Sequence, residues 1–195
     1  SQYGQSVFDY PLFHNSEISN YESFVLRNSG NDWTSTMLRD GYITSLASKT
    51  DVDHQLFRPA IIYLNGEYWG IQNIREKVNE HFLSSHHDIN PENIDLLDIQ
   101  GTNPENIVHG TNIDYLNLLD YLNNNDIREP AVQSGIEGWI DINSFMQYQA
   151  FQIFIDNRDW PGNNIKFWRD HRTVGKWRWI LYDTDFGFGI WDPNA

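Results

Sequence analysis

Apolar and β-branched positions crowd around a polar pair between residues 58 and 78, RPAIIYLNGEYWGIQNIREKV. Two strand-like runs flank Asn65-Gly66, and a type I′ turn needs positive φ at both central positions, which Asn and Gly tolerate best. The pattern predicts a β-hairpin, with Pro59 at the start of its first strand, where a missing amide donor is tolerated. Next, VNEHFLSSHHDI (78–89) predicts a short helix and NIDLLDI (93–99) a short strand. Leu116, Leu119 and Leu122 recur at helical spacing and predict a helix over 113–123, with Asp114 near its start. The Asn-rich LNNND after it reads as a C-terminal cap and loop. A further helix over 142–156 puts Phe145, Tyr148, Phe151 and Ile155 on one face, capped by Asp141 or Asn143. Strands follow at NIKFWR and WRWILYD, joined by a turn around Thr173 to Lys176. Nearer the N-terminus, FVLRNSGNDW reads as a strand entering a turn and TSTMLRDGYITSLAS as a helix. Strands and helices do not alternate as βαβ units, so the expected class is α+β, with antiparallel hairpins packed against helices.

The chain has 195 residues, the size of one domain, and no repeat or low-complexity linker divides it. Its 39% hydrophobic and 15% aromatic content supports a packed core. No apolar run approaches the ~18 residues a bilayer span needs. Ser1-Gln2-Tyr3 and the ending Asn194-Ala195 read as cuts within a longer chain, truncated at both ends. With no cysteine, disulfides and thiolate metal sites are excluded. The formal charge of −14 leaves no basic stripe for phosphates, so a nucleic-acid partner is not expected. Acidity and missing cysteine favour an extracellular or cell-surface location.

Two clusters carry candidate chemistry. In RDWPGNN, Asp159 and Asn164 stand five positions apart across a tight turn. That spacing lets a carboxylate meet a substrate hydroxyl while an amide oxygen faces a cation, as in the catalytic loop of protein kinases. The blander reading is a Pro-Gly turn braced by Asx side chains. In WRWILYDTDFGFG, an apolar strand delivers Asp183 and Asp185 to its end. Carboxylates at i and i+2 point to the same side of an extended chain and suit a hard divalent cation. The two clusters together supply the oxygen ligands that phosphoryl transfer uses. Other features are weaker. Adjacent His86 and His87 point to different sides, which argues against a shared metal. The aromatic set Trp160, Phe167, Trp168, Trp177 and Trp179 could stack a ring, but alternation along two strands makes one row core.

Four motifs occur in an order that resembles the CotH kinase family: LRNSGNDW followed by MLRD, YLNGEYWGIQNIREKVNEHFL, DNRDWPGNNIKFW, and WILYDTDFG. The resemblance covers nearly the whole chain. It implies an atypical protein-kinase-like fold, with a smaller β-rich part over about 1–100 and a helical part over about 101–195 that carries the catalytic and metal loops. It also implies transfer of the ATP γ-phosphoryl group to serine or threonine of a partner protein with Mg²⁺ or Mn²⁺. By position, Asp159 resembles the catalytic aspartate and Asn164 the metal-side asparagine. Asp183 resembles the principal metal ligand and Asp185 a second ligand or support. Glu76 matches a family acid that orients a lysine or a nucleotide-contacting base. Family members carry a Gly- and Lys-rich segment upstream of a stretch like YPLF, and this sequence begins after it. Arg27 and Arg39 are therefore the cations expected against the phosphates. A non-catalytic surface interaction module on the same scaffold is the alternative, and a metal-dependent hydrolase a more distant one.

Overall fold

Asn65 and Gly66 do turn the chain at positive φ, +51° and +86°, as a type I′ hairpin requires. In this computed structural model, which describes residues 6–101, 103–172 and 175–190, β1 (Phe8–Asp9) and β2 (Asn20–Tyr21) form a small ribbon. Then come β3 (Phe24–Arg27), α1 (Arg39–Leu46), β4 (Asp53–His54) and the hairpin itself, β5 (Phe57–Leu64) and β6 (Glu67–Glu76). The remainder is α2 (Glu80–His87), β7 (Ile94–Gln100), β8 (Asn103–His109), α3 (Ile113–Asn124), α4 (Pro130–Trp139), α5 (Ile142–Phe154), β9 (Ile165–Asp170) and β10 (Arg178–Leu181). The α+β class holds.

Two larger sheets organise these elements. The first is antiparallel, in the order β3-β6-β5; the second runs β4-β10-β9-β7-β8, antiparallel except where β10 pairs with β4. Pro59 lies third in β5 rather than at its start, and the open edge of that strand is what accommodates it. The second sheet takes β4 and β7 from the first hundred residues and β8, β9 and β10 from the rest.

Both faces of the five-stranded sheet are covered. On one, Leu96, Trp168, Ile180 and Tyr182 pack against Phe82 and Leu83 of α2. On the other, Leu97, Phe167 and Trp177 meet Leu118 of α3, while Leu181 meets Tyr148, Phe151 and Ile155 at α5 and Ile43 of α1. The aromatic set is thus core on both faces, with the Phe167 and Trp179 rings stacked at 5.7 Å. Helix α1 joins the two sheets. Its first turn sits so close to β5 that a Cβ on Gly41 would lie 2.4 Å from the Phe57 ring.

Several elements differ from the sequence expectation. Helix α1 begins at Arg39 rather than among residues 34–38, because Met37 takes φ +60°. The buried Asp32 carboxylate caps it from a distance, accepting from the amides of Thr36, Leu38 and Arg39 at 3.2, 3.1 and 3.0 Å. In α3 the inward face is Tyr115, Leu118 and Leu122, leaving Leu116 exposed. Tyr115 sets that rotation, because its ring packs 4.7 Å from Phe167. The parallel β10–β4 pair and the strand β8 carry no strong pattern of their own. Helix α4, opened by Pro130 at its first turn, was also not anticipated. Asp141, one of the two proposed caps of α5, accepts from Ser144 N at 3.1 Å. Asn124 and Asn125 close α3 by donating to the Asp120 and Tyr121 carbonyls. Thr173 and Val174 of the expected turn lie outside the described residues.

Candidate active site

Ile155 caps helix α5, and the next nine residues form a loop braced from within. Buried Asn157 donates to Gln152 Oε1 at 2.9 Å and accepts from the Asp159 amide at 3.2 Å. The half-buried Asp159 carboxylate then accepts from Asn164 Nδ2 at 2.6 Å and Asn163 Nδ2 at 3.0 Å. Between them the Trp160–Pro161 peptide is cis, and Asn164 holds φ +56°. An amide whose nitrogen is spent on Asp159 presents its oxygen away from it. Asp159 and Asn164 are therefore a built pair, not two neighbours on a free turn.

The second loop follows β10. Asp183 takes φ +52°, a left-handed conformation uncommon for a residue other than glycine. It remains partly open to solvent, whereas Thr184 and Asp185 are buried. Two backbone hydrogen bonds stitch the loops together: Arg158 N to Phe186 O at 3.4 Å and Phe188 N to Ile155 O at 2.6 Å. The clusters read separately in the sequence are thus adjoining loops.

A network of charges backs the second loop from α1 and the three-stranded sheet. Arg27, at the end of β3, pairs with Asp183 Oδ1, lies 3.5 Å from Asp185 Oδ2 and 3.9 Å from Asp40 Oδ2. Arg75 on β6 pairs with the same Asp40 oxygen. The other Asp40 oxygen accepts from Thr184 N at 2.8 Å and Thr184 Oγ1 at 3.0 Å, so α1 grips the loop between its two aspartates. Asp185 accepts from Asn31 N at 2.7 Å. Gly30 allows that approach, since a Cβ there would stand 2.0 Å from Asp185 Oδ2.

These contacts set the charges. Burial alone would raise Asp40, but Arg75, Arg27 and the Thr184 bonds outweigh it and hold its carboxyl below the usual range. Burial opposes the Arg27 charge too, yet Asp183, Asp40 and Asp185 keep its guanidinium more firmly protonated than usual. Burial pushes Asp185 up, helped by Asp183 and Asp40 and resisted by Asn31 and Arg27.

Arg39, the other expected phosphate cation, donates instead to the Gly187 and Phe188 carbonyls at 2.9 and 2.8 Å and to Asp32 at 3.3 Å. It fixes the chain after Asp185. Glu76 is buried at the end of β6, accepting from Leu56 N at 2.9 Å and facing His86 Nε2 at 2.8 Å. The side chain it faces is thus a histidine rather than a lysine. His87 turns to Asp53 at 2.8 Å, so the adjacent histidines do diverge. Cavities of about 740 and 450 Å³ flank α2, the smaller one lined by Glu76, and neither is lined by Asp159, Asn164, Asp183 or Asp185. Asp40 and Arg75 were not among the residues expected at the site; Asp40 lay in the quoted MLRD motif without a role.

A family model described as CotH kinase protein matches residues 5–195. The chain belongs to the CotH kinase family. Among curated proteins, none matches the sequence. The match spans every CotH motif quoted above, so Asp40 and Arg27 sit in family segments as fully as Asp159 does. Among the described residues, no group of three or more His, Asp or Glu side chains forms a ready metal cage, and no helix is long and apolar enough to cross a membrane.

Proposed function

We propose that this domain has an atypical protein-kinase-like fold and transfers the γ-phosphoryl group of ATP to serine or threonine of a partner protein. One observation carries the reading. A cation on the small sheet, Arg27, reaches both an acid of the following helix, Asp40, and the aspartate at a strand end, Asp183. Kinases join the same three parts as lysine, helix glutamate and metal-binding aspartate. Here arginine stands in for lysine, and α1 with the three-stranded sheet serves as the smaller lobe.

The donor set fits a hard divalent ion. Mg²⁺ is held by one or two carboxylates together with substrate phosphates and water, not by an all-protein cage. Asp183 and the Asn164 amide oxygen would hold it. Asp185, buried and spent on Asn31 and Arg27, supports the loop. When bound, Mg²⁺ or Mn²⁺ neutralises charge on the β- and γ-phosphates.

The chain's own residues do the rest. Asp159, fixed by Asn163 and Asn164, accepts the proton of the acceptor hydroxyl as its oxygen bonds to the γ-phosphorus. The bond from that phosphorus to the β–γ bridging oxygen breaks, and ADP leaves. Arg27 offers a guanidinium to the phosphates. Asp159→Asn should slow transfer of labelled phosphate from ATP by ~10²–10⁴-fold with the fold intact. Transfer at the wild-type rate would refute the assignment.

A second reading, a surface interaction module, is favoured by the hairpin tip. Ile61, Tyr63, Tyr68 and Trp69 are each more than 60% exposed there. Thermal unfolding with ATP and Mn²⁺ separates the two, because only a nucleotide-binding domain gains melting temperature. An extracellular location fits either reading.

A further inference from the structure

Arg27 places a fixed positive charge where the proposed function puts a metal ion. Its guanidinium pairs with Asp183 and lies 3.5 Å from Asp185. A divalent cation taking Asp183 as ligand meets that charge at contact distance, and like charges so close repel strongly. Either the ion is kept out or the guanidinium moves.

The sheet supplies somewhere for it to go. Arg27 of β3 stands directly opposite Asn73 of β6 in the antiparallel register, so both side chains leave the sheet on one face. Asn73 is 7% exposed, and its Oδ1 is buried with no hydrogen-bond partner. A buried, unsatisfied carbonyl oxygen is rare in a folded protein and costly to maintain. On the same face, Asp40 Oδ2 already lies 3.9 Å from Arg27 Nε. A guanidinium released from Asp183 therefore finds two acceptors, one of them idle, without leaving the strand that carries it. Arg75, two positions from Asn73 on β6, cannot take this role, because Asp40, Thr44 and Gln55 hold it in place.

We propose that Arg27 is a resident cation that occupies Asp183 and Asp185 until a divalent ion displaces it toward Asn73 and Asp40. The proposal rests on the reading of Asp183 as a metal ligand. It makes Arg27 a positioning residue with two stations: with Asp183 and Asp185 in the empty site, and with Asn73 and Asp40 once metal has entered. Metal alone then binds weakly, because it must first expel a paired guanidinium. Metal arriving with a triphosphate binds better, since the phosphates give the released guanidinium further acceptors.

The experiment titrates Mn²⁺ alone, without nucleotide, into the protein and follows the electron paramagnetic resonance signal of free aqueous Mn²⁺. Arg27→Gln should bind Mn²⁺ about ten-fold more tightly than wild type, the size of a typical site–site coupling. Asn73→Leu removes the idle acceptor, keeps Arg27, and should bind Mn²⁺ more weakly. Asp183→Asn should abolish binding. If Asp183→Asn abolishes binding while Arg27→Gln gains nothing, the resident-cation proposal fails and Asp183 stands as ligand. If neither wild type nor Arg27→Gln binds Mn²⁺, both fail. Should Arg27→Gln not fold, Asn73→Leu decides alone, and an unchanged Mn²⁺ affinity overturns the proposal.

Discussion

Replacing Asp40 by asparagine tests whether the charge network is structural in origin. Arg75 is 1% exposed, and Asp40 is its main counter-charge. Removing one partner of a buried ion pair costs about 3–5 kcal/mol, because the remaining charge stays desolvated and unpaired. Two features of this site favour the lower end. Asparagine keeps an oxygen for the Thr184 amide, and Arg75 retains weaker bonds to Thr44 and Gln55 at 3.3 and 3.4 Å. A loss of about 3 kcal/mol is a large share of the 5–15 kcal/mol that holds a domain folded. At about 2–4 °C per kcal/mol for a chain of this size, the melting temperature should fall by about 6–12 °C. Urea unfolding followed by tryptophan fluorescence gives the free energy directly, provided the m-value is unchanged. Pairing Asp40→Asn with Arg75→Met removes both charges, and the double variant should lose about 2 kcal/mol less than the sum of the singles. A single-variant loss below about 1 kcal/mol, or strict additivity in the double, would refute the account of Asp40 as the pinned centre of the network.

Two further expectations follow from the same geometry. Asp40, Asp53 and Asp32 all have carboxyls held below the ordinary value of 3.8 against the opposing pull of burial, by Arg75 and Arg27, by His87, Trp168 and Arg178, and by Thr36 and Arg39 respectively. Their stabilisation is fully present above that value and is lost as pH falls through the lower folded values, so the acid limb of stability should be steep and should flatten in Asp40→Asn. Asp185, pushed up chiefly by burial, works in the opposite sense as pH rises through the interval above 3.8. Gly30→Ala and Gly66→Ala both place a side chain at positive φ, but only at Gly30 would the new Cβ meet an atom, Asp185 Oδ2 at 2.0 Å. Gly66→Ala should cost about 1 kcal/mol in urea unfolding and Gly30→Ala clearly more; equal losses would mean that the Asn31 loop does not press on Asp185.

What was legible in the sequence were elements whose cause is local. The hairpin at Asn65-Gly66 and the cap at Asp141 each depend on residues within a few positions of one another. So does the Asp159–Asn164 pair, whose hydrogen bond spans five residues. Where a partner outside the element decides, the local pattern is not enough. Helix α3 carries leucines at 116, 118, 119 and 122, so its periodicity allows more than one rotation; the Phe167 ring on β9 chose the face with Tyr115 and Leu118. Helix α1 starts late because of a carboxylate outside it, at Asp32. The two-residue strand β4 exists only because β10 runs beside it.

The site divides along the same line, and the division bears on its chemistry. Asp159, Asn164, Asp183 and Asp185 could be named because each lies in a compact motif with its own logic of spacing. Arg27 could be named only as a cation expected against the phosphates, and Asp40 and Arg75 not at all, because Arg27 meets Asp183 across 156 positions and Asp40 meets Arg75 across 35. Those contacts determine how the motif residues can behave. Asp183 and Asp185 differ by two positions in sequence, yet one is partly open to solvent and the other is buried under Gly30 and Asn31. Asp40 binds the residue between them while also gathering the two arginines, so no charge in the group can move without the others feeling it. Arg75 is held by three partners, whereas Arg27 faces an acceptor with no partner across the sheet. Within this group of charges, the guanidinium with an idle acceptor opposite it, Arg27, is the part free to change places.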